Sequence, residues 1–425
     1  MSNTNFLQTI FNFLNRDAQY AVLRNYEKLP FASGRDIDII IDRKNYKAIK
    51  KQFIEFFIQN NYKFLQYYKG SEMHSMVFVE TRPPYNLISF DFLFSIYVKD
   101  TVLLTSEDVL KTRIFNGKIY HVRKDMEYLS KFIYNKILKT SYPEKYRHIE
   151  EEAFALYSQE IQTVLTELRI NDKVSLTSIK FHLYRKHFFQ MLFAHFRYLA
   201  STISNIVHPQ GISFSFTGPD GVGKTTVINQ IVEILNKLYN SIPIYHFRPT
   251  IIGNLGEVAH AARLKKEVDR DYNKPHRGEK TNALSSFIRL LYYSLDYIVG
   301  YQKKVRHQVF QRKIVIFDRY YTDIICDSRR SRIHLPYKFL YAFGKCFIPS
   351  LDYNILLTAS SETILARKKE LDAEGIQAIN EKIDYLAKKK GYKKVLNEQT
   401  PEVAVAEILN YIFDSQHQKN LRRLR

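Results

Sequence analysis

Eight consecutive residues carry the clearest chemistry in this sequence: Gly218-Pro219-Asp220-Gly221-Val222-Gly223-Lys224-Thr225. They fill every fixed position of the pattern G-x-x-x-x-G-K-S/T. The apolar run Ile212–Phe216 precedes them and helical spacing over Thr225–Leu238 follows, which is the context the pattern requires. Glycines let backbone N–H groups turn inward around a phosphate, and the helix start behind them adds its dipole. Gly218, Gly221, Val222 and Gly223 are then the cradle, with Thr226 beside it. Lys224 is placed to bridge the β- and γ-phosphates of a nucleotide, and the Thr225 hydroxyl to hold Mg²⁺.

Two further segments fit the same chemistry. Lys313-Ile314-Val315-Ile316-Phe317-Asp318-Arg319 reads as a buried strand that delivers Asp318 to the carboxyl edge of a sheet, where ligands bind in open α/β folds. Asp318 there can hold Mg²⁺ through water, and Arg319 can reach phosphoryl oxygens with two donors. Ile242–Phe247 runs into Arg248-Pro249-Thr250, so a second cation leaves a strand at that edge and can clamp an acceptor phosphate against the donor. A polar strand end and a surface arginine before a proline turn are the plain alternatives.

A separate acidic set lies near the N-terminus. Asp36 and Asp38 share one face of a strand start in Gly34-Arg35-Asp36-Ile37-Asp38, and Asp91 sits inside Ser89-Phe90-Asp91-Phe92. Three carboxylates converging on Mg²⁺ ions is the arrangement that nucleotidyl transfer needs. The plain reading is an acidic turn entering a strand.

These residues need elements to position them. At 425 residues the chain has room for two or three cores. Residues 1–125 mix helix (Phe6–Leu14, Lys44–Asn60) with strand (Ile37–Ile41, Met76–Glu80, Leu87–Phe94), divided by the turn Arg82-Pro83-Pro84-Tyr85-Asn86. Residues 126–207 continue a helical pattern as a connector, with helices over Asp125–Leu138, Tyr146–Arg169 and Thr177–Val207. The aromatics of the third helix are expected to cover a neighbour, in preference to a nucleic-acid patch over Lys180–Arg197. Residues 208–425 alternate strand and helix, with a long helical stretch over 281–305 and strands over Lys313–Asp318 and Leu351–Leu357, as in a parallel sheet with helices on both faces.

Composition narrows the classes. Apolar residues make up 45% and charged residues 25%, as in a folded protein, and 14 Gly with 12 Pro exclude collagen-like and low-complexity chains. The net charge of +21 is spread over both halves and favours phosphate-rich partners, whether nucleotides, nucleic acid or an anionic surface. Cys326 and Cys346 form neither a metal-type pair nor a disulfide framework. No signal-peptide pattern and no membrane-length apolar run are visible, so a cytoplasmic protein is expected.

Residues 211 to about 412, half of the chain, resemble the thymidylate kinase family of P-loop nucleoside-monophosphate kinases. The loop through Thr226 is similar to the family's G-x-D/E-G-x-G-K-S/T-T, Phe247-Arg248-Pro249 to its F-x-R-E-P, and Asp318-Arg319-Tyr320 to its D-R-Y/H. Pro349-Ser350-Leu351-Asp352 with Tyr353–Leu357 and then Ala366-Arg367 resemble its P-D strand and following helix, and Val395–Ile412 its last strand and helix. The resemblance implies an ATP- and Mg-dependent phosphotransferase. In it Asp220 would face the acceptor's sugar hydroxyl, Arg248 and Arg319 would grip the acceptor phosphate and the transferred group, and Arg367, with Lys368 and Lys369, would edge a lid over ATP. Its partners would be a nucleotide and a phosphorylated small-molecule acceptor, and it is compatible with a homodimer.

The sequence departs from that family on the acceptor side. The Glu of F-x-R-E-P is missing. The S-S-x-A-Y-Q stretch is replaced by Tyr321-Thr322-Asp323-Ile324-Ile325-Cys326-Asp327-Ser328-Arg329-Arg330, and Asp296 is followed by Tyr297 where the family has Arg. Arg329, Arg330 and Arg332 can then serve a larger anionic acceptor or be a solvated helix end. The first ~100 residues resemble the nucleotidyltransferase superfamily's D-h-D pair and later Asp, but Val22-Leu23-Arg24-Asn25-Tyr26 stands where a Gly-Ser pair is usual. Two alternatives to the kinase follow: nucleotidyl transfer through Asp36, Asp38 and Asp91 with the P-loop part regulatory, and non-catalytic nucleotide binding.

Overall fold

The computed structural model describes residues 3–32, 34–239, 241–251 and 282–424. They form two units, residues 1–208 with 416–425 and residues 209–415.

In the first unit, α1 (Asn3–Asp17) and β1 (Tyr20–Val22) precede β2 (Asp36–Ile41) and α2 (Arg43–Gln59). Asp42 caps α2, accepting from the N–H groups of Lys44 and Asn45. Strands β3 (Tyr62–Lys69), β4 (Met73–Glu80), β5 (Leu87–Leu93), β6 (Ser95–Val98) and β7 (Thr101–Thr105) come next, then α3 (Ser106–Leu110), β8 (Ile114–Phe115) and β9 (Tyr120–His121). One sheet runs β3-β4-β5-β2-β1-β9-β8, and β6 pairs β7 separately. β2 and β5 are parallel, with Asp38 opposite Asp91. Phenylalanines of α1, α2 and the sheet (Phe11, Phe53, Phe57, Phe78, Phe90) fill one core. On this side the C-terminal Asn420 donates to the Phe64 and Leu65 carbonyls at 3.1 and 2.8 Å.

The helices α4 (Lys124–Leu138), α5 (Arg147–Glu167), α6 (Leu176–Lys186) and α7 (Phe188–Val207) belong to this same unit. Their buried faces share a second core with Ala21, Ile40 and Ile96. The single helix expected over Thr177–Val207 is two. The chain breaks at His187, whose φ of −135° and ψ of 52° are not helical, although apolar spacing continues across it.

The second unit is a five-stranded sheet, β11-β12-β10-β13-β14, formed by β10 (Ile212–Thr217), β11 (Ile244–His246), β12 (Ile314–Asp318), β13 (Tyr353–Thr358) and β14 (Tyr392–Leu396). Every pairing is parallel. The parallel α/β architecture expected for this part is therefore present. The helix α8 (Lys224–Asn236) follows β10 directly across the glycine loop. β11 is shorter than the expected Ile242–Phe247, because Phe247 adopts a left-handed φ of 62° that ends the strand. Of the helical stretch expected over 281–305, position 281 lies outside the described residues. The helix runs Ala283–Gly300 and continues as one widened turn through Val305.

Candidate active site

The loop is held open by contacts that tolerate no side chain. A Cβ on Gly218 would lie 2.3 Å from the Leu357 carbonyl oxygen, and one on Gly223 2.6 Å from Asn397 Nδ2. Gly223 also has φ 93°, a conformation that L-residues avoid. Asn397 Nδ2 donates to the Val222 carbonyl at 2.7 Å, and Arg367 Nη1 to the Asn397 carbonyl at 2.9 Å. The segment after β14 and the helix Ser361–Arg367 thus hold the loop from behind. Thr225 and Thr226 are exposed on the first turn of α8.

Lys224 is buried, and its amine donates to the carbonyls of Gly218 and Pro219 at 2.8 Å each. Burial, reinforced by the charge of Arg319, brings its ammonium down to about 7. A neutral amine has two hydrogens, and the two carbonyls use both. Asp220 Oδ1 lies 4.0 Å away.

β10 and β12 are adjacent and parallel, with Phe216 opposite Asp318, so Asp318 and Arg319 end their strand beside the start of the loop. Arg319 carries φ 75°, a strained value for a residue with a Cβ. Its guanidinium is fixed by two carboxylates: Nη1 donates to Asp323 Oδ1 at 2.7 Å and Nη2 to Asp220 Oδ1. Arg330 donates to the other oxygen of Asp220, and its Nε lies 3.5 Å from Asp327. Asp220 therefore joins the two arginines. Burial raises the carboxyl pKa of Asp323, and Arg319 opposes it.

Asp318 Oδ2 faces His246 Nδ1 of the neighbouring strand at 3.1 Å, while Asp318 Oδ1 is buried with no hydrogen-bond partner among the described residues. Thr217 Oγ1 and Asp323 Oδ2 are in the same condition. Such orphaned oxygens in one region are costly unless a ligand meets them. Asp318 Oδ1, a hard donor at the strand end, suits Mg²⁺, with the Thr225 hydroxyl as a second oxygen.

Arg248 is more enclosed than a strand-end cation at a ligand edge. It is buried, donates to the fully buried Asp296 at 2.9 Å, and packs its guanidinium 4.3 Å from the Tyr293 ring centre. Tyr297 is buried, donates to the Phe247 carbonyl at 2.9 Å and meets Tyr320 edge to face. It thus fills interior space beside Tyr320. Asp323, Asn397, His246 and the Arg330–Asp220 contact were not legible as site features. Asp323 could have been found from its four-residue spacing after Arg319; the other contacts join distant segments.

In the first unit, the carboxylates of Asp36, Asp38 and Asp91 bring one oxygen each within 4.8 Å of one another. Asp38 is buried, and burial raises its pKa above the usual carboxylate range while Arg24, 2.6 Å away, opposes this. Three hard donors suit a divalent cation, although one oxygen of Asp38 is already engaged by Arg24.

Residues 216–416 match the model of the thymidylate kinase family. The match supports a nucleotide-kinase-like transferase function for this part of the chain. Thymidylate kinase from Ehrlichia chaffeensis aligns over 48% of this chain and 100% of its own, at 17% identity and a TM-score of 0.34. No curated protein matches. Among the described residues no helix is long and apolar enough to cross a membrane.

Proposed function

We propose that the second unit is an ATP- and Mg-dependent phosphotransferase that moves the γ-phosphoryl group to a nucleoside monophosphate or a related phosphorylated acceptor. The observation that carries this reading is the meeting of Lys224 in its glycine loop with Arg319 and Asp318 at one sheet edge. On nucleotide binding, Lys224 exchanges the two loop carbonyls for phosphate oxygens and regains its proton. The loop amides hold the β-phosphate, and Arg367 steadies the loop from behind. Arg319, pre-set by Asp220 and Asp323, presents donors to the transferred phosphoryl group, where negative charge spreads in the transition state. Asp318 and Thr225 would hold Mg²⁺, which supplies charge neutralisation between the β- and γ-phosphates. Arg248 positions the acceptor side from its buried pair with Asp296, and Asp220 meets the acceptor's sugar.

A second activity, nucleotidyl transfer in the first unit, is favoured by the convergence of Asp36, Asp38 and Asp91. The test for both is incubation of the whole chain with Mg²⁺ and ATP against a panel of nucleoside monophosphates and sugars. Acceptor-dependent ADP supports the kinase, and pyrophosphate supports nucleotidyl transfer. ATP left intact with every acceptor would refute the kinase reading.

A further inference from the structure

Helix α7 is turned the wrong way for a soluble protein. Its stripe Phe189, Phe193, Phe196, Leu199, Ile203 and Ile206 recurs every three or four residues along one face. That face is exposed: Phe189 to 71%, Phe193 to 60%, Phe196 to 58% and Ile203 to 61%. The expectation that these aromatics cover a neighbour is overturned within the described residues. The inward face buries only Met191 and Ala194 and otherwise makes polar bonds. Arg197 donates to Glu72 at 2.8 Å, His195 Nδ1 meets Asp100 at 2.8 Å, and Asn205 donates to the Lys69 carbonyl at 3.3 Å. Polar anchors thus fix the helix so that a continuous apolar strip, roughly 25 Å long at 1.5 Å per residue, faces outward. Strips of that kind mark interaction sites.

The charge around the strip selects its partner. From Lys173 to Pro219 the sequence has no Asp or Glu, while Lys173, Lys180, Arg185, Lys186 and Arg197 lie within it. Arg185 and Lys186 are exposed at the amino end of α7, and Lys69 is exposed beside Asn205 near the other end. Among the described residues the two acids that touch the helix are buried and engaged on two sides: Glu72 by Arg43 and Arg197, Asp100 by Lys180 and the His195 ring. They contribute little outward negative charge.

We infer that α7 docks this protein on an anionic phospholipid surface, lying in the interface with its stripe among the acyl chains and Arg185, Lys186 and Lys69 at the headgroups. A helix with one apolar face, exposed cations of neighbouring elements at either end and no capacity to span has the properties of an interfacial anchor. A nucleic-acid partner fits less well, because Leu199, Ile203 and Ile206 cannot stack on bases. A second copy fits less well too. Parallel pairing would bring Arg185 and Lys186 onto themselves, and antiparallel pairing would bring them against Lys69.

The test is co-sedimentation of the full chain with phosphatidylcholine vesicles, with and without phosphatidylglycerol. The chain is expected to pellet with the mixed vesicles, weakly with phosphatidylcholine alone, and less in high salt. The double variant Phe193→Ser with Phe196→Ser should lower the partition coefficient at least ~10-fold, since both side chains leave water on docking. Arg185→Gln with Lys186→Gln, which gives up only the Arg185 contact with the exposed Phe181 ring, should lower it about fivefold per charge. If the serine variant melts early, the charge variant decides alone. Failure to pellet with the mixed vesicles would overturn the inference, as would equal pelleting of wild type and variants. So would a dimer that ignores vesicles and becomes monomeric in the serine variant, since that would assign the strip to a second copy.

Discussion

Replacing Arg319 by Ala should damage catalysis and folding through different atoms, and the two effects can be separated. Arg319 donates to Asp323 at 2.7 Å and also to Asp220, and both acids are largely buried. Removing the guanidinium takes a fixed cation from the transferred phosphoryl group. Loss of such a preorganised donor costs about 3–4 kcal/mol in the transition state, or ~10²–10³ in kcat. It also strands the buried Asp323, and breaking one side of a buried pair costs about 3–5 kcal/mol of stability. Alanine at φ 75° inherits the backbone strain, so no relief offsets that loss. The assay is steady-state ADP production with ATP and acceptor varied separately, beside a urea unfolding curve for the same preparation. The expected result is a kcat lower by ~10² or more, a KM for ATP within a few-fold, and a lower unfolding midpoint. Asp323→Asn should reproduce part of the kcat loss, since Arg319 keeps only Asp220. A folded Arg319→Ala protein with kcat within threefold of wild type would refute the reasoning.

Lys224 should take up a proton when a nucleotide binds. Its ammonium sits at about 7 in the free protein, and phosphate oxygens favour the charged form, so the bound value is higher. Above pH 7 binding therefore consumes a proton and affinity falls as pH rises, while below ~6 it is flat; calorimetry in buffers of different ionisation enthalpy measures this, and Lys224→Met should abolish both the uptake and turnover. Arg248→Met should cost about 3–5 kcal/mol in urea unfolding because it takes the Arg248 cation from the fully buried Asp296, which keeps the Ile251 N–H at 2.8 Å, and Arg248→Met with Asp296→Leu should recover most of it. An unchanged unfolding curve with a raised acceptor KM would make Arg248 purely an acceptor ligand. Thymidylate should be a poor acceptor, because Tyr297 is committed to the Phe247 carbonyl and Asp323 to Arg319. A kcat/KM for thymidylate at or above ~10⁵ M⁻¹s⁻¹, well over that for other monophosphates, would contradict it.

The parts of this site that local geometry dictates could be read directly. Gly218 and Gly223 are required where backbone or a neighbouring amide would meet a Cβ, so the loop carries its own signature. The buried run Ile314–Phe317 ending in Asp318 likewise announces a strand that delivers a carboxylate. What could not be read comes from tertiary pairing. Asn397 holds a carbonyl 175 residues away and Arg330 holds an acid 110 residues away, and neither leaves a local pattern. β3 escaped because its register shifts between Phe64 and Gln66, which breaks the alternation. The direction α7 faces escaped because periodicity marks an apolar stripe without saying whether anything covers it. The Asp36, Asp38 and Asp91 convergence was legible in part, since period two aligns the first two and parallel pairing of β2 with β5 supplies the third.

The central claim is that ATP is used by the loop of the second unit. It is tested most directly by comparing the full chain with its Lys224→Met and Asp38→Asn variants, scoring ADP and pyrophosphate from ATP, Mg²⁺ and the best acceptor. The account predicts acceptor-dependent ADP that is lost in Lys224→Met and kept in Asp38→Asn. ADP formation that survives Lys224→Met in a folded protein would contradict it.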